Sequence, residues 1–186
     1  MKKIFLLLWF VLLGLFEVQA YQFEKNGIYY DIVNGKAVVV SGDVSYSGDV
    51  VIPETVEYDG QHYVVDSIGE WAFNSCSGLM SVKLPEKLRA IGSLAFYYCN
   101  QLKEVSFQEG LERIGGIAFS DCALHDTIVF PQTLKYISGS AFANNICLSV
   151  VRFPIGLEYI DSYAFSNCIY NHRTTKTNQK YPSVNL

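Results

Sequence analysis

The amino-acid sequence predicts a repeat solenoid in which about five coils, each of twenty-three residues, stack on one another. Three observations predict it. Isoleucine stands five residues before each repeated phenylalanine, alanine stands directly before it, and leucine and valine columns recur with the same step. The repeated phenylalanines are Phe73, Phe96, Phe119, Phe142 and Phe165. A period of this length means that each unit has an apolar side that only a neighbouring unit can cover.

Each coil is predicted to contain one short strand and one tighter turn. Residues 151–154 read V-R-F-P, and this alternation with period two favours a strand that the proline ends. Leu88, Ile91 and Phe96 follow the strand of their coil at spacings that favour a turn or two of α-helix or 3₁₀-helix. The sequence therefore predicts a parallel β-sheet on one face and short helical or 3₁₀ turns on the other.

The residues before the repeat predict an N-terminal β-hairpin cap over residues 21–50. Asn34-Gly35 separates two apolar, alternating segments, which is a strong hairpin signal. The first coil is nine residues longer than the next, and its insertion contains Asp59-Gly60, a second hairpin signal. We expect the solenoid itself to cover residues 51–168.

Residues 1–20 read as a secretory signal peptide with cleavage after Ala20. Lys2-Lys3 precede an apolar run of 13 residues, and small side chains stand at Val18 and Ala20. A membrane span needs about 20 apolar residues, so the run is short for an uncleaved anchor, which is the alternative interpretation. We expect a secreted or cell-surface protein with no membrane span after cleavage.

The composition argues against a nucleic-acid partner. The chain has 186 residues, of which 50% are hydrophobic and 17% charged. Removal of residues 1–20 leaves 12 basic and 17 acidic residues, a net charge of −5. An acidic protein lacks the basic patch that contacts phosphates.

Residues 169–186 break the repeat and form a polar tail. Asn171, Thr174 and Lys176 stand where the pattern requires apolar side chains. Either this segment is a disordered tail, or the chain is truncated before its full set of repeats. An uncapped last coil is expected to self-associate. The side chains that it would expose are Phe153, Leu157, Ile160 and Phe165.

Four of the five cysteines share one repeat column, in which Asn145 takes the remaining place. The four are Cys76, Cys99, Cys122 and Cys168, whereas Cys147 lies outside the column. A column shared by cysteine and asparagine favours a buried ladder of small side chains bonded to backbone groups. The alternative is disulfide pairing between adjacent coils, if their Cα atoms approach to about 4.4–6.8 Å. Neither a metal site nor a cofactor is predicted, because no short C-x-x-C pair occurs.

The repeat carries the motif I-G-x-x-A-F-x-x-C, as in IGSLAFYYC and IGGIAFSDC. This motif resembles the BspA-like leucine-rich-repeat family of bacterial surface and secreted proteins, over residues 50–168. The resemblance implies a right-handed solenoid of the α/β leucine-rich-repeat type with an N-terminal cap. It also implies a role in binding and adhesion, with no catalytic residues.

The outward positions of the strands form the candidate binding surface, because a solenoid presents one such position per coil. The row comprises Val51, Lys83, Ser106, Val129 and Arg152, and Glu104 is among the residues that flank it. Tyr97 and Tyr98 form a second candidate patch, for which ordinary wall packing is the alternative.

No catalytic site is predicted. His125 falls in a leucine column and is expected to be a wall or core residue, and Gly69, Gly92 and Gly115 are expected to serve the bend of the coil. We therefore predict a non-catalytic extracellular module that binds a protein or glycan. The alternatives are a structural spacer or truncated remnant of a longer surface adhesin, and an enzyme acting on a surface polymer, which would need a clustered pair of carboxylates.

Overall fold

The computed structural model describes residues 21–168, so the predicted signal peptide and polar tail lie outside the described residues. This part of the chain forms 14 β-strands. They are β1 Phe23–Lys25, β2 Ile28–Val33, β3 Lys36–Val40, β4 Ser47–Val51, β5 Thr55–Tyr58, β6 Gln61–Ile68, β7 Gly78–Lys83, β8 Ala90–Ile91, β9 Glu104–Ser106, β10 Arg113–Ile114, β11 His125–Val129, β12 Tyr136–Ile137, β13 Cys147–Arg152 and β14 Tyr159–Ile160.

The repeated phenylalanines stack directly on one another in the interior. Their rings lie 4.8 to 5.1 Å apart between centroids and within 11° of parallel. All five are at most 3% exposed. The spacing matches the separation of about 4.7–4.9 Å between paired strands, so ring stacking and backbone pairing share one repeat distance. The predicted solenoid is confirmed. Below, a coil begins at the cysteine column and is named after its phenylalanine, so the Phe142 coil covers residues 122–144.

One wall of the solenoid, the strand face, consists of β4, β7, β9, β11 and β13. The predicted parallel pairing is confirmed there, since Val82 lies in register with Val50 and Val105. The wall is nevertheless divided into a three-stranded sheet, β4-β7-β9, and a two-stranded sheet, β11-β13.

The division follows from the position of the buried leucine in the Phe142 coil, which stands one residue earlier than in the other coils. Leu124 is 2% exposed and fills the interior, whereas His125 is half-buried. Leu124 therefore takes the interior leucine position, and His125 is a half-buried residue of the wall, one of the two places predicted for it. The β11-β13 register changes between Asp126 and Thr127, where Ser149 of β13 has no partner, and Asp126 has a left-handed φ of 57°. Aspartate is among the few non-glycine residues that adopt this region readily.

A second wall, the isoleucine wall, consists of the parallel strands β6, β8, β10, β12 and β14. Its side chains Ile91, Ile114 and Ile137 point inward and are at most 2% exposed. Each of these residues pairs with its counterpart in the next coil. The isoleucine column of the repeat therefore forms a second, narrower parallel ladder.

The third wall carries the turns, and there the prediction of helical or 3₁₀ turns is wrong. Residues 92–98 and their counterparts are turns, and no helix occurs within residues 21–168. The reason is that every second N–H group donates to the neighbouring coil instead of closing a helical ring. For example, the N–H of Phe96 donates to the carbonyl oxygen of Ala118 at 2.7 Å.

Two left-handed residues per coil produce this hydrogen-bond pattern. A left-handed backbone turns the peptide so that donors and acceptors point along the solenoid axis. It costs a non-glycine residue about 1–2 kcal/mol. The first set is Trp71, Leu94, Ile117, Ser140 and Tyr163, and the second is Ser75, Tyr98, Asp121, Asn144 and Asn167.

The glycine column has a different role from the predicted bend. Gly92 and Gly115 do not have a left-handed φ. A Cβ atom on Gly115 would lie 2.5 Å from the backbone nitrogen of Ser93, and one on Gly92 would lie 2.7 Å from that of Glu70. These glycines therefore allow two coils to approach each other closely.

The N-terminal cap is built from antiparallel hairpins. Asn34-Gly35 joins β2 to β3 and Asp59-Gly60 joins β5 to β6, both with positive φ, so both predicted turns are confirmed. A third turn of this type, Asn26-Gly27, was not predicted. β3 pairs in parallel with β6, and Tyr46 packs on Phe73 at 4.5 Å. The cap thus continues both the sheet and the aromatic stack.

The last described coil keeps its apolar side chains inside. Leu157, Ile160 and Phe165 are at most 4% exposed, and Phe153 is half-buried. These side chains are therefore buried or half-buried in the structure, and self-association through this coil stays a prediction. Phe165 stacks on Phe142 at 5.1 Å and meets Phe153 at 5.6 Å, so both rings are held inside the stack.

Substitution of Gly115 by alanine should lower the free energy of unfolding by about 1–3 kcal/mol, because the new methyl group meets backbone atoms that cannot move independently. Urea denaturation followed by circular dichroism measures this.

Gly156→Ala is the matched control. Its Cβ would lie 3.7 Å from the nearest atom, the carbonyl oxygen of Gln132, and its φ is not left-handed. We expect it to be neutral or to stabilise by about 0.4–1 kcal/mol. Equal loss of stability in both variants would show that close approach is not the role of Gly115.

Candidate binding surface

A buried ladder of side chains fixes the corner where each coil enters the strand face. The Sγ atom of Cys99 donates to the carbonyl oxygen of Phe73 at 3.0 Å, and Cys122 and Cys168 make the same bond to Phe96 and Phe142 at 3.2 Å. Asn145 repeats it through Nδ2, which lies 2.8 Å from the carbonyl oxygen of Phe119. The predicted ladder is confirmed.

The ladder thiols are free and protonated. All five cysteines of the chain are free, so the alternative of disulfide pairing between coils is not realised in the structure. Burial raises the pKa of the Cys99 thiol to about 12 and also raises that of Cys122. Because only the protonated form can donate to a carbonyl oxygen, burial favours the form of the thiol that makes the ladder bond.

Asn145 has a second function that cysteine cannot perform. In coils with the regular spacing, the N–H of the buried leucine donates to its own ladder residue, as Leu102 does to the carbonyl oxygen of Cys99. Leu124 stands one residue too close to Cys122 for this bond. Its N–H donates instead to Oδ1 of Asn145 at 3.1 Å. Asn145 thus stabilises the shifted Phe142 coil.

The structure places the predicted row on the strand face in two register-matched pieces. Val51, Lys83 and Ser106 are Cα partners across β4, β7 and β9, and Val129 is the partner of Arg152 across β11 and β13. All five side chains are exposed, Val51 by 63% and Val129 by 59%.

A cleft of about 250 Å³ separates the two pieces. The lining includes Glu104 and Ser106 of the predicted surface, together with His125, Asp126 and Thr127. β9 and β11 are not paired across it, and Val105 is half-buried at its wall, whereas Val82 is 3% exposed. The shift in the Phe142 coil therefore opens the sheet and turns a flat row into a surface with a recess.

The recess carries charges of both signs. Nδ1 of His125 lies 2.6 Å from the carboxylate of Asp126, which is itself exposed. Glu104 adds a second carboxylate and Lys103 an amine. The arrangement offers donors and acceptors for hydrogen bonds without a strong net charge.

The predicted tyrosine patch lies elsewhere. Tyr97 and Tyr98 belong to the turn wall, where their rings meet edge to face with centroids 5.5 Å apart. Tyr98 is 50% exposed, whereas Tyr97 is half-buried. Neither residue lines the cleft of the strand face.

Sequence reasoning missed a third surface, on the isoleucine wall. A groove of about 480 Å³ is lined by Arg113, Tyr136 and Tyr159, with Gly92 and Gly115 also among the lining residues. The signal was present in the sequence, because positions 113, 136 and 159 follow one another at the repeat step. They directly precede the isoleucine column, whereas the predicted surface was drawn from the strand column alone.

Within residues 21–168, no group of three or more histidine, cysteine, aspartate or glutamate side chains is placed to hold a metal ion. The same stretch contains no helix with the length and apolar character needed to span a bilayer.

The comparisons with known proteins agree with this architecture. A family model described as "BspA type Leucine rich repeat region" matches residues 50–172 in six copies. A leucine-rich-repeat protein from T. pallidum superimposes with a TM-score of 0.69 and 28% identity, covering 78% of this chain and 66% of that one. No curated protein sequence matches.

Two other crystal structures are similar. A leucine-rich cell surface protein from Faecalibacterium prausnitzii has a TM-score of 0.69 and 26% identity, covering 82% of this chain and 41% of that one. A leucine-rich-repeat protein from Bacteroides capillosus has a TM-score of 0.61 and 30% identity, covering 69% of this chain and 96% of that one. The chain thus spans 66% and 41% of the T. pallidum and F. prausnitzii proteins but nearly all of the B. capillosus protein.

Asn145→Ala should lower the free energy of unfolding by about 2–4 kcal/mol, since it leaves the N–H of Leu124 and the carbonyl oxygen of Phe119 without their partners. Asn145→Cys should lose about half as much, because a thiol restores the bond to Phe119 alone. Urea denaturation gives both values. Wild-type stability of Asn145→Cys would contradict the role given to Oδ1.

Thiol accessibility should separate Cys147 from the ladder. A thiol-specific chromogenic reagent should modify Cys147 rapidly, because its side chain is exposed, and should reach Cys99 and Cys122 only after unfolding. Cys147→Ser should abolish the fast phase, whereas Cys99→Ser should leave it unchanged. A fast phase that survives in Cys147→Ser/Cys168→Ser, which also removes the half-buried Cys168, would mean that the buried ladder opens in the folded protein.

Proposed function

Because the chain belongs to the BspA-type leucine-rich-repeat family, we propose that it is a non-catalytic extracellular module that binds a protein or glycan through its strand face. The observation that carries the proposal is the exposed row on that face, divided by a polar recess. The proposed contact residues on it are Lys83, Ser106, Val129, Arg152 and Glu104.

The geometry suits recognition of an extended partner. Each strand contributes one exposed side chain to the row, and these side chains are in register from coil to coil. A partner lying along the solenoid axis can therefore contact several coils at once. Lys83 and Arg152 stand on either side of the cleft and can each pair with an acidic group of the partner. The cleft between them can accept one side chain or sugar unit of the same partner.

An extracellular location is part of the proposal. Proteins of this family are commonly surface proteins, and the F. prausnitzii structure is of a cell surface protein. Residues 1–20, which have the sequence pattern of a secretory signal peptide, also support export. A protein that meets its ligand outside the cell needs no cofactor or catalytic step for adhesion.

The tyrosine pair is a subsidiary part of the proposed surface. Tyr98 offers half of its ring to solvent, and tyrosine is enriched in binding hot spots. Since the pair lies on the turn wall, a partner that contacts both Tyr98 and Lys83 would have to wrap around an edge of the solenoid.

A charge reversal tests the proposal. The full chain is applied to arrays of immobilised extracellular matrix proteins and glycans, and reproducible binding to at least one of them is expected. Lys83→Glu combined with Arg152→Glu should weaken that binding by about tenfold or more, because both cations are exposed on the strand face.

Lys36→Glu combined with Lys87→Glu is the matched control. Both lysines are exposed and lie outside β7 and β13, so the net charge changes equally while the strand face stays intact. Equal loss in both double variants would indicate non-specific electrostatic attraction. Absence of any ligand would favour the structural spacer.

A further inference from the structure

We propose that the groove on the isoleucine wall is a second binding site, and that its ligand is a neutral glycan. This inference goes beyond the proposed function, because the groove and the strand face lie on different walls and share no lining residue. Five features of the groove support it: its aromatic rings, their fixed positions, its charge, its polar groups and its backbone pairing.

The first feature is a pair of exposed aromatic rings on neighbouring strands. Tyr136 and Tyr159 are Cα partners in β12 and β14, with exposures of 37% and 45%. Both side chains line the same groove. A pyranose ring has one flat face of C–H groups that packs on aromatic rings, whereas its hydroxyl groups stay at the edge.

The second feature is that Tyr136 is held in place without a ligand. Its hydroxyl group donates to the carboxylate of Glu158 at 2.5 Å, and the guanidinium of Arg113 lies 5.7 Å from the centre of its ring. Hydrogen bonding to Glu158 raises the pKa of Tyr136, so the phenol remains a donor. A ring that is already ordered loses little conformational entropy when a ligand packs on it.

The third feature is charge balance. Glu70 and Arg113 are the charged residues among those that line the groove, and they have opposite signs. The charged column next to it pairs internally, since Arg89 contacts Glu112 at 2.8 Å and Lys135 contacts Glu158 at 3.8 Å. The residues that line the groove therefore carry no net charge, and Asp161, which shares a hydrogen bond with Tyr159, adds one carboxylate beside them.

The fourth feature is a set of small polar groups around a floor without side chains. Gly92 and Gly115 lie in the groove lining, and Ser93 and Ser138 line it beside them. Hydroxyl groups can donate and accept, and the carboxylate of Glu70 accepts, which matches the mixed donors and acceptors of sugar hydroxyls. The volume of about 480 Å³ lies within the usual range of small-molecule sites.

The fifth feature argues against a peptide. Extended peptides commonly bind by adding a strand to a free sheet edge. β10 is paired on both sides, by β8 and β12, and β12 is paired by β10 and β14. Along β8, β10 and β12 recognition must therefore come from side chains, which suits a sugar better than a peptide backbone. Within residues 21–168, β14 is the last strand of this sheet and is paired on one side only.

The test uses isothermal titration calorimetry of the full chain with four neutral probes: maltotetraose, cellotetraose, mannotetraose and chitotetraose. At least one should bind. Tyr159→Ala should weaken that binding by about tenfold or more, and the same probe should protect Tyr136 and Tyr159 from chemical nitration.

Three controls make the result specific. Tyr159→Phe keeps the ring and should retain most of the affinity. Tyr163→Ala removes an exposed tyrosine from the turn wall, outside both proposed sites, and should have no effect. The strand-face variant Lys83→Glu/Arg152→Glu should also bind the probe normally, so failure of this site and failure of the proposed function can be told apart.

The inference is overturned if none of the four probes binds, or if binding is unaffected by Tyr159→Ala. It is also overturned if acidic oligosaccharides such as hyaluronan tetrasaccharide bind while the neutral probes do not, because Arg113 would then act as a charge-selecting group. Since Tyr159 is 45% exposed, its alanine variant is expected to fold, and thermal unfolding checks this directly.

Discussion

Each coil lies within hydrogen-bonding distance of the next along most of its perimeter, and the other features of the molecule follow from this constraint. The phenylalanine rings stack 4.8 to 5.1 Å apart because the backbones around them are paired at that distance. Glycine at position 115 leaves room for the backbone of the preceding coil. Left-handed residues such as Leu94 and Tyr98 aim the turn amides along the axis. Thiols at the corner complete the pairing by donating to carbonyl oxygens.

The Phe142 coil shows what happens when this constraint is relaxed. A shift of one residue at Leu124 keeps the interior filled but unpairs β9 from β11 on the strand face. The neighbouring coil compensates through Asn145, whose amide both donates to Phe119 and accepts from Leu124. Packing of the core therefore takes precedence over continuity of the sheet. The recess in the proposed binding surface is the result.

The repeat itself was predictable because identical apolar side chains recur at one step, and burial imposes that pattern regardless of the local backbone. The hairpins at Asn34-Gly35 and Asp59-Gly60 were predictable because their turn chemistry is local. The turn wall was not, since spacings of three and four residues suit a helix equally well, and only pairing between coils selects left-handed turns. The tyrosine groove was predictable in the same way as the repeat, since Arg113, Tyr136 and Tyr159 follow one another at the repeat step, but the predicted surface considered the strand column alone.

The dependence of Leu124 on Asn145 has a consequence for how such arrays change over generations. Where adjacent units are equivalent, unequal crossing-over can add or delete one whole unit and leave the remaining ones in phase. The units ending at Phe142 and Phe165 are not equivalent, because the first relies on an amide supplied by the second. Loss of the second unit should therefore destabilise the first, because the N–H of Leu124 would lose its partner.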